Sequence, residues 1–282
     1  MRILGPLYLQ AALIALASAS LAGAARAQTQ QQIDWCYAPD ATDAQTVDGC
    51  NAMIQSGRYA GTELSGVFNN RGTGYYGQGQ YDLAIADHDR AIQLDPTNAE
   101  AFNDRGTVYD AKGDYGRAIA DFDRAIQIKP DYIKAYKRRG AVHAEQGQYA
   151  SAIADYDQAI ARNAKYDDAY DARCRAKAII GRLDEALGDC NQALALAPDK
   201  AAYLNDRGFA YLKLHRYPSA VGDYDAALAR NPGLAAALYG RGLAKGDSGD
   251  AAGGQADIAA AKAIRPTIAE EFARQMRGQG GK

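Results

Sequence analysis

A period of 34 residues runs through most of this chain and restricts what it can fold into. In the copy at 99–132, Phe102 and Tyr109 stand at helical spacing, Gly113 interrupts the pattern, and Pro130 ends a second helical stretch. The arginines that recur at this period are Arg71, Arg105, Arg139, Arg173, Arg207 and Arg241. The aspartates that recur with them are Asp87, Asp121, Asp155, Asp189, Asp223 and Asp257. Because such a unit cannot bury its apolar face alone, the period predicts stacked helical pairs.

The residues at fixed positions of the period resemble the tetratricopeptide repeat family. Position 4 is aromatic or large, position 20 is alanine in five repeats, and position 27 is alanine in all six. Glycine occupies position 8 in every repeat but the fourth, which has Cys174. The family usually has leucine where the arginines stand, and tyrosine where Lys177 and Lys245 stand. The first residues of the repeats are Ser65, Ala99, Ile133, Asp167, Ala201 and Ala235.

The resemblance covers residues 65–268 and implies an all-α fold. It predicts an α-solenoid, a right-handed superhelix of six 34-residue helix-turn-helix repeats with a concave groove. We expect residues 28–64 to form a degenerate N-terminal capping unit, and residues 269–282 to form a C-terminal cap helix and a disordered tail. The resemblance implies no particular partner.

The first 27 residues predict a signal peptide. Arg2 precedes an apolar run at 7–21, and Ala25 and Ala27 frame a cleavage signal that ends at Ala27. The run of about 15 residues is short for a bilayer span of about 20, although an uncleaved anchor is the alternative. The mature chain is therefore expected to begin at Gln28 in a bacterial periplasm, without membrane insertion.

The four cysteines suit an oxidising compartment. Cys174 and Cys190 occupy positions 8 and 24 of the fourth repeat, which face each other in an antiparallel helix pair. Cys36 and Cys50 lie 14 residues apart in the capping unit. Of the three possible pairings we predict these two local disulfides, with a buried pair of reduced thiols as the alternative. The spacing lacks the close pairs that zinc prefers, so no metal is expected.

Composition and motifs argue against catalysis and against nucleic-acid binding. The chain has 32 basic and 34 acidic residues, so no strong field favours nucleic acid. His88, His143 and His215 fall at different positions of the repeat, and no phosphate-binding or nucleophile motif occurs. We expect a protein that is not an enzyme and has no cofactor.

Arginine at position 7 and aspartate at position 23 stand at the same level of facing helices. The pattern predicts a ladder of ion pairs, for example Arg105 with Asp121, whose role is register and solubility. As exposed pairs they would contribute about 0–1 kcal/mol each.

In the family, positions 2, 5, 9 and 12 of the first helix line the concave groove. Residues of three kinds stand on or beside that face as candidates for peptide binding. They are the amides Asn69, Asn103 and Asn205, the basic Lys134, Lys137 and Arg138, and the aromatic Phe209 and Tyr239. Amides can bond the backbone of an extended peptide without reading its sequence. We therefore expect a scaffold for protein–protein interaction whose peptide ligand is acidic in the middle and apolar at one end.

Several alternatives stay open for these residues and for the function. Lys134 and Arg138 match two positions of the carboxylate clamp found in some family members, but Asn69, Thr73 and Asp104 depart from it. The basic group could be a solvated face balanced by neighbouring acids, and the aromatic end could contact the 267–277 helix or a second copy. The protein could also bind envelope glycan or another non-protein ligand as an enzyme accessory, or self-assemble through its end faces.

Overall fold

The computed structural model describes residue 30 and residues 32–278, and these residues are mostly helical, with no strand among them. The predicted signal peptide and all but the first residue of the predicted tail lie outside the described residues. In chain order the helices are α1 (Asp43–Ser56), α2 (Gly61–Gly77), α3 (Tyr81–Leu94), α4 (Ala99–Ala111), α5 (Tyr115–Ile128), α6 (Ile133–Glu145), α7 (Tyr149–Arg162), α8 (Asp167–Ile179), α9 (Leu183–Leu196), α10 (Ala201–Lys213), α11 (Tyr217–Arg230), α12 (Ala235–Asp247), α13 (Ala251–Ile264) and α14 (Ile268–Arg277).

The described residues form two compact units, a first that ends at Ile128 and a second that begins at Lys129. In the described part of the first unit, α1 packs on α2, α2 on α3, and α4 on α5. In the second unit the pairs are α6 with α7, α8 with α9, α10 with α11, and α12 with α13. This packing of consecutive helix pairs, without strands in the described residues, confirms the predicted all-α solenoid class. Helix α2 begins at Gly61, four residues before Ser65, the first residue of the first repeat. Among the described residues, none of the helices is long and apolar enough to cross a membrane.

The turns within the repeats need a left-handed residue at position 15. Glycine provides it in five repeats, where it has no Cβ to clash with the backbone. These glycines are Gly79, Gly113, Gly147, Gly181 and Gly249. The fifth repeat has His215 at the same position with φ 56°, and its Nδ1 lies 2.8 Å from the hydroxyl of Tyr217.

Glycine at position 8 makes room for a large side chain at position 24 of the facing helix. A Cβ on Gly140 would lie 2.7 Å from Tyr156, and a Cβ on Gly208 would lie 2.9 Å from Tyr224. In the fourth repeat two cysteines take the place of the glycine and the ring. Cys174 and Cys190 are fully buried and bonded as a disulfide, with their Cα atoms 5.3 Å apart.

The second cysteine pair links the N-terminal segment to α1. Cys36 and Cys50 are buried and bonded, and their Cα atoms lie 4.7 Å apart. They pack with Met53 and Val67, which belong to α1 and α2. The structure thus has both of the local pairings that the sequence analysis favours.

The ladder between positions 7 and 23 is present in all six repeats, within each repeat. Arg105 donates to both carboxylate oxygens of Asp121, from Nε at 2.8 Å and from Nη2 at 2.7 Å, and its Nη1 reaches Asp89 of the preceding repeat at 2.5 Å. The guanidinium also lies against the rings of Phe102 and Tyr109. The expectation that these pairs are exposed is wrong, because the aspartates at position 23 are 6–11% exposed. Buried carboxylates of this kind need their partners, because an unpaired one carries a large desolvation penalty.

The two lysines that depart from the family pattern join this ladder. The Nζ atom of Lys177 lies 2.8 Å from Asp189, and that of Lys245 lies 2.9 Å from Asp257. Each lysine stands at position 11, where three other repeats place a tyrosine ring against the arginine. A second cation on the position-23 carboxylate thus replaces the ring.

Candidate functional site

The asparagines of the first unit point inward rather than toward a ligand. Asn69 is 5% exposed and Asn103 is 1% exposed. Each donates its Nδ2 hydrogen to Asp104 at 3.0 Å, and the Oδ1 atom of Asn69 lies 3.0 Å from Nδ1 of His88. His88 is fully buried, and burial lowers its pKa, which favours the neutral ring. These two asparagines therefore hold an internal network, and the expectation that they offer amides to a peptide needs correction.

Asn205 of the second unit is also buried, and it belongs to a cluster of charged groups. It is 8% exposed, and its Nδ2 donates to Asp206 at 2.9 Å. The Nη1 atom of Arg175 lies 3.6 Å from the same carboxylate. Burial and then the charge of Asp206 raise the pKa of Asp171 to about 9, against the opposing effect of Arg175. Burial also raises the pKa of Asp206, against the opposing charge of Arg175, so the cluster favours the protonated form of its carboxyls more than solvent does.

We expect Asp171→Asn to flatten the pH dependence of stability in the second unit. A carboxyl with a raised folded pKa stabilises the fold fully below its unfolded pKa, and this contribution is lost as pH rises toward the folded value of about 9. The contribution of this group to wild-type stability should fall between about pH 4 and pH 9, with a slope of at most about 1.4 kcal/mol per pH unit. Melting temperatures measured by circular dichroism across that range provide the test. Asp131→Asn, at an exposed position of the same unit, should keep the wild-type slope; equal slopes for both variants would contradict the assignment.

The two aromatic candidates lie beneath the C-terminal helix. Phe209 is only 3% exposed, because Phe272 of α14 packs edge-on against it with the ring centroids 5.4 Å apart. The rings of Tyr239 and Phe272 lie 5.2 Å apart. Of the readings that the sequence left open for this apolar end, the structure shows contact with the chain's own helix.

The basic residues are the accessible candidates. Lys134 is exposed, and Lys137 and Arg138 are half-buried, all in the first two turns of α6. Burial opposes ionisation of nearby Asp168, but bonds from Tyr203 and Lys200 and the charge of Lys137 outweigh it and lower the pKa of Asp168. The basic group is therefore partly balanced by one acid, and Lys134 at its edge remains open to solvent.

A groove of about 640 Å³ opens at the other end of α6. Arg175 of α8, Arg274 of α14 and Tyr149 of α7 all line it. Burial raises the pKa of Tyr149, and the charges of both arginines partly offset that effect. The residues that line the groove are Ala144, Glu145, Tyr149, Ala172, Arg175, Ala176, Ile179, Glu271, Arg274 and Gln275. Within the described residues, no group of three or more histidines, cysteines or acids is placed to hold a metal ion.

Comparison with known proteins agrees with this architecture. The family model described as TPR repeat matches residues 72–113 and 108–147, and the model described as tetratricopeptide repeat matches residues 133–171. No curated protein shows significant sequence similarity to the chain.

Solved structures resemble the chain in fold at low sequence identity. A tetratricopeptide repeat protein from Parabacteroides merdae ATCC 43184 is 18% identical with a TM-score of 0.64, over 83% of this chain and 92% of that one. Pseudomonas aeruginosa pilF is 16% identical with a TM-score of 0.63, over 74% and 96%. YrrB, described as a TPR protein with an unusual peptide-binding site, is 17% identical with a TM-score of 0.51, over 66% and 97%. The two family models thus show that residues 72–171 consist of tetratricopeptide repeats, and the helix pairs and these neighbours show the same fold for the chain.

Proposed function

We propose that this protein is a non-catalytic scaffold of the bacterial periplasm that binds an extended, acidic segment of a partner protein along α6 and α8 of the second unit. One observation carries the proposal: Lys134 and Lys137 share a helix face with Ala144, which lines the groove of about 640 Å³. A segment that follows this face would meet two lysines first and Arg175 beyond them. Opposite charge on the segment would favour encounter and register.

The structure changes the composition of the proposed contact surface. The three asparagines are omitted from it, because their side chains are buried and their Nδ2 groups donate to aspartates within the protein. Phe209 is omitted too, because it is buried against Phe272, and Tyr239 is omitted because its half-buried ring packs against Phe272. These contacts weaken the glycan alternative, which needs exposed rings for stacking on sugars. Lys134, Lys137, Arg138 and Arg175 remain as the proposed contacts.

Support for a protein ligand and for export comes from two further observations. One structural neighbour of the same fold, YrrB, is described as a TPR protein with an unusual peptide-binding site. Both cysteine pairs lie at disulfide distance, which suits an oxidising compartment such as the periplasm. Detection of a mature N-terminus at Gln28 in a periplasmic fraction would test the export step.

Crosslinking capture from the envelope of the exporting cell tests the binding surface. We expect Lys134→Glu/Arg138→Glu to reduce capture of the partner by about tenfold or more, because both changes place like charge opposite an acidic segment. Mass spectrometry of the crosslinks should locate an acidic stretch of the partner beside α6.

The control for this experiment changes net charge by the same amount elsewhere. Lys165→Glu/Lys262→Glu alters two exposed lysines of the same unit outside the proposed surface, and it should capture the partner as the wild type does. Equal capture by all three proteins would remove the basic residues from the site. Equal loss in both variants would show an effect of net charge rather than of a surface.

A further inference from the structure

The C-terminal helix α14 packs against the other helices of the second unit through two apolar side chains. Helix α14 has ten residues, and two of its side chains, Ile268 and Phe272, are 2% and 4% exposed. Its end reaches α8, because a Cβ on Gly278 would lie 2.9 Å from the carbonyl oxygen of Ile179. Helix α14 thus contacts α8 as well as α12 and α13.

The attachment of α14 rests on few contacts. Isolated helices shorter than about 12–15 residues are marginal in water, so α14 depends on its docking for its own structure. Met276, the third apolar residue of its stripe, is 37% exposed. The groove of about 640 Å³ runs along the flank formed by Arg274 and Gln275, so α14 does not fill the space it lies in. A segment of three residues with Pro266 in the middle connects it to α13.

We propose that the surface beneath α14 is a binding site for an amphipathic helix of a partner protein, and that α14 is its built-in competitor. The partner helix would carry an aliphatic and an aromatic residue four positions apart on one face, as Ile268 and Phe272 do, and its aromatic ring would pack against Phe209 and Tyr239. This site goes beyond the acidic-segment surface on α6, which is accessible while α14 is docked.

The direct probe is a fluorescently labelled peptide of residues 265–278, added to the full chain and followed by anisotropy. Only molecules in which α14 has left the site can bind the peptide. The apparent affinity therefore equals the intrinsic affinity multiplied by the fraction of molecules whose site is open. We expect the Phe272→Ala full chain to bind the peptide about tenfold more tightly than the wild type, or better. Met276→Ala is the matched control, because Met276 lies on the same helix but is partly exposed, and it should bind as the wild type does.

Two further measurements keep the inference open to refutation. Backbone amides of α14 in the wild type should exchange with solvent about tenfold faster than those of α12, because α14 opens locally. A peptide carrying Phe272→Ala should not bind any of the proteins. Equal affinity of the peptide for the wild type and Phe272→Ala, or no binding to either, would overturn the proposal, and so would exchange in α14 as slow as in α12. Lys134→Glu/Arg138→Glu should leave the peptide affinity unchanged, which separates this site from the acidic-segment surface.

Discussion

Replacement of Arg105 by methionine is expected to lower the free energy of unfolding of the first unit by about 3 kcal/mol or more. Arg105 makes two bonds to Asp121 and a third to Asp89. Methionine can keep the contact with Phe102 and Tyr109 but supplies no donor. The substitution therefore leaves the buried carboxylate of Asp121 without the guanidinium that pairs with it.

The pH dependence of the lost stability distinguishes an unpaired buried carboxylate from a simple packing defect. Burial raises the pKa of Asp121 even in the wild type, where the Arg105 guanidinium opposes the effect. In Arg105→Met the carboxyl should bind a proton more readily in the folded chain, so stability relative to the wild type should improve as pH falls toward 4. A packing defect would give the same deficit at every pH.

Fluorescence of Trp35, the one tryptophan of the sequence, follows the first unit during urea unfolding. Arg90→Met is the matched control, because Arg90 is an exposed arginine of the same unit that donates to Gln93. Its unfolding midpoint should be that of the wild type. A midpoint for Arg105→Met equal to the control would show that the ladder stabilises the fold no more than exposed pairs do.

The sequence predicts those parts of the structure that repeat. Each ladder contact joins position 7 to position 23 of one repeat, so a period of 34 residues was enough to place Arg105 opposite Asp121. The turns are also predictable from the period, because position 15 of each repeat has a left-handed backbone. The pairing of Cys174 with Cys190 also follows from positions that the other repeats define.

Burial within the candidate site depends on contacts between repeats, which the period does not encode. Asn69 bonds to Asp104 of the next repeat, 35 residues later, and its Oδ1 atom lies at hydrogen-bond distance from His88 in the second helix of the same repeat. One sequence feature does indicate that His88 is buried: it stands at position 24, where other repeats have an aromatic ring packed against the glycine at position 8. The sequence leaves contact between Phe272 and Phe209 as one of several alternatives. Helix α14 occurs once, so no repeated copy indicates which surface it packs against.

Removal of the disulfide in the fourth repeat is expected to have the second large effect on stability. In Cys174→Ala/Cys190→Ala the unfolded chain regains the freedom of a loop with a sequence separation of 16, which corresponds to about 3 kcal/mol. A cavity between α8 and α9 adds to this loss, because both sulfurs are fully buried. Urea unfolding followed by circular dichroism should show the lower midpoint in the second unit, while Trp35 fluorescence reports an unchanged first unit.

A compensated variant separates the two contributions. Cys174→Gly/Cys190→Tyr rebuilds at positions 8 and 24 the contact that Gly140 makes with Tyr156. We expect this variant to recover the part of the loss that comes from packing but not the part that comes from the unfolded chain, so its midpoint should fall between those of the alanine variant and the wild type. Dithiothreitol should lower the second-unit midpoint of the wild type and leave both variants unaffected there. If the alanine variant unfolds at the wild-type midpoint without dithiothreitol, the cysteines do not constrain the repeat, and the case for an oxidising compartment would then rest on the first cysteine pair alone.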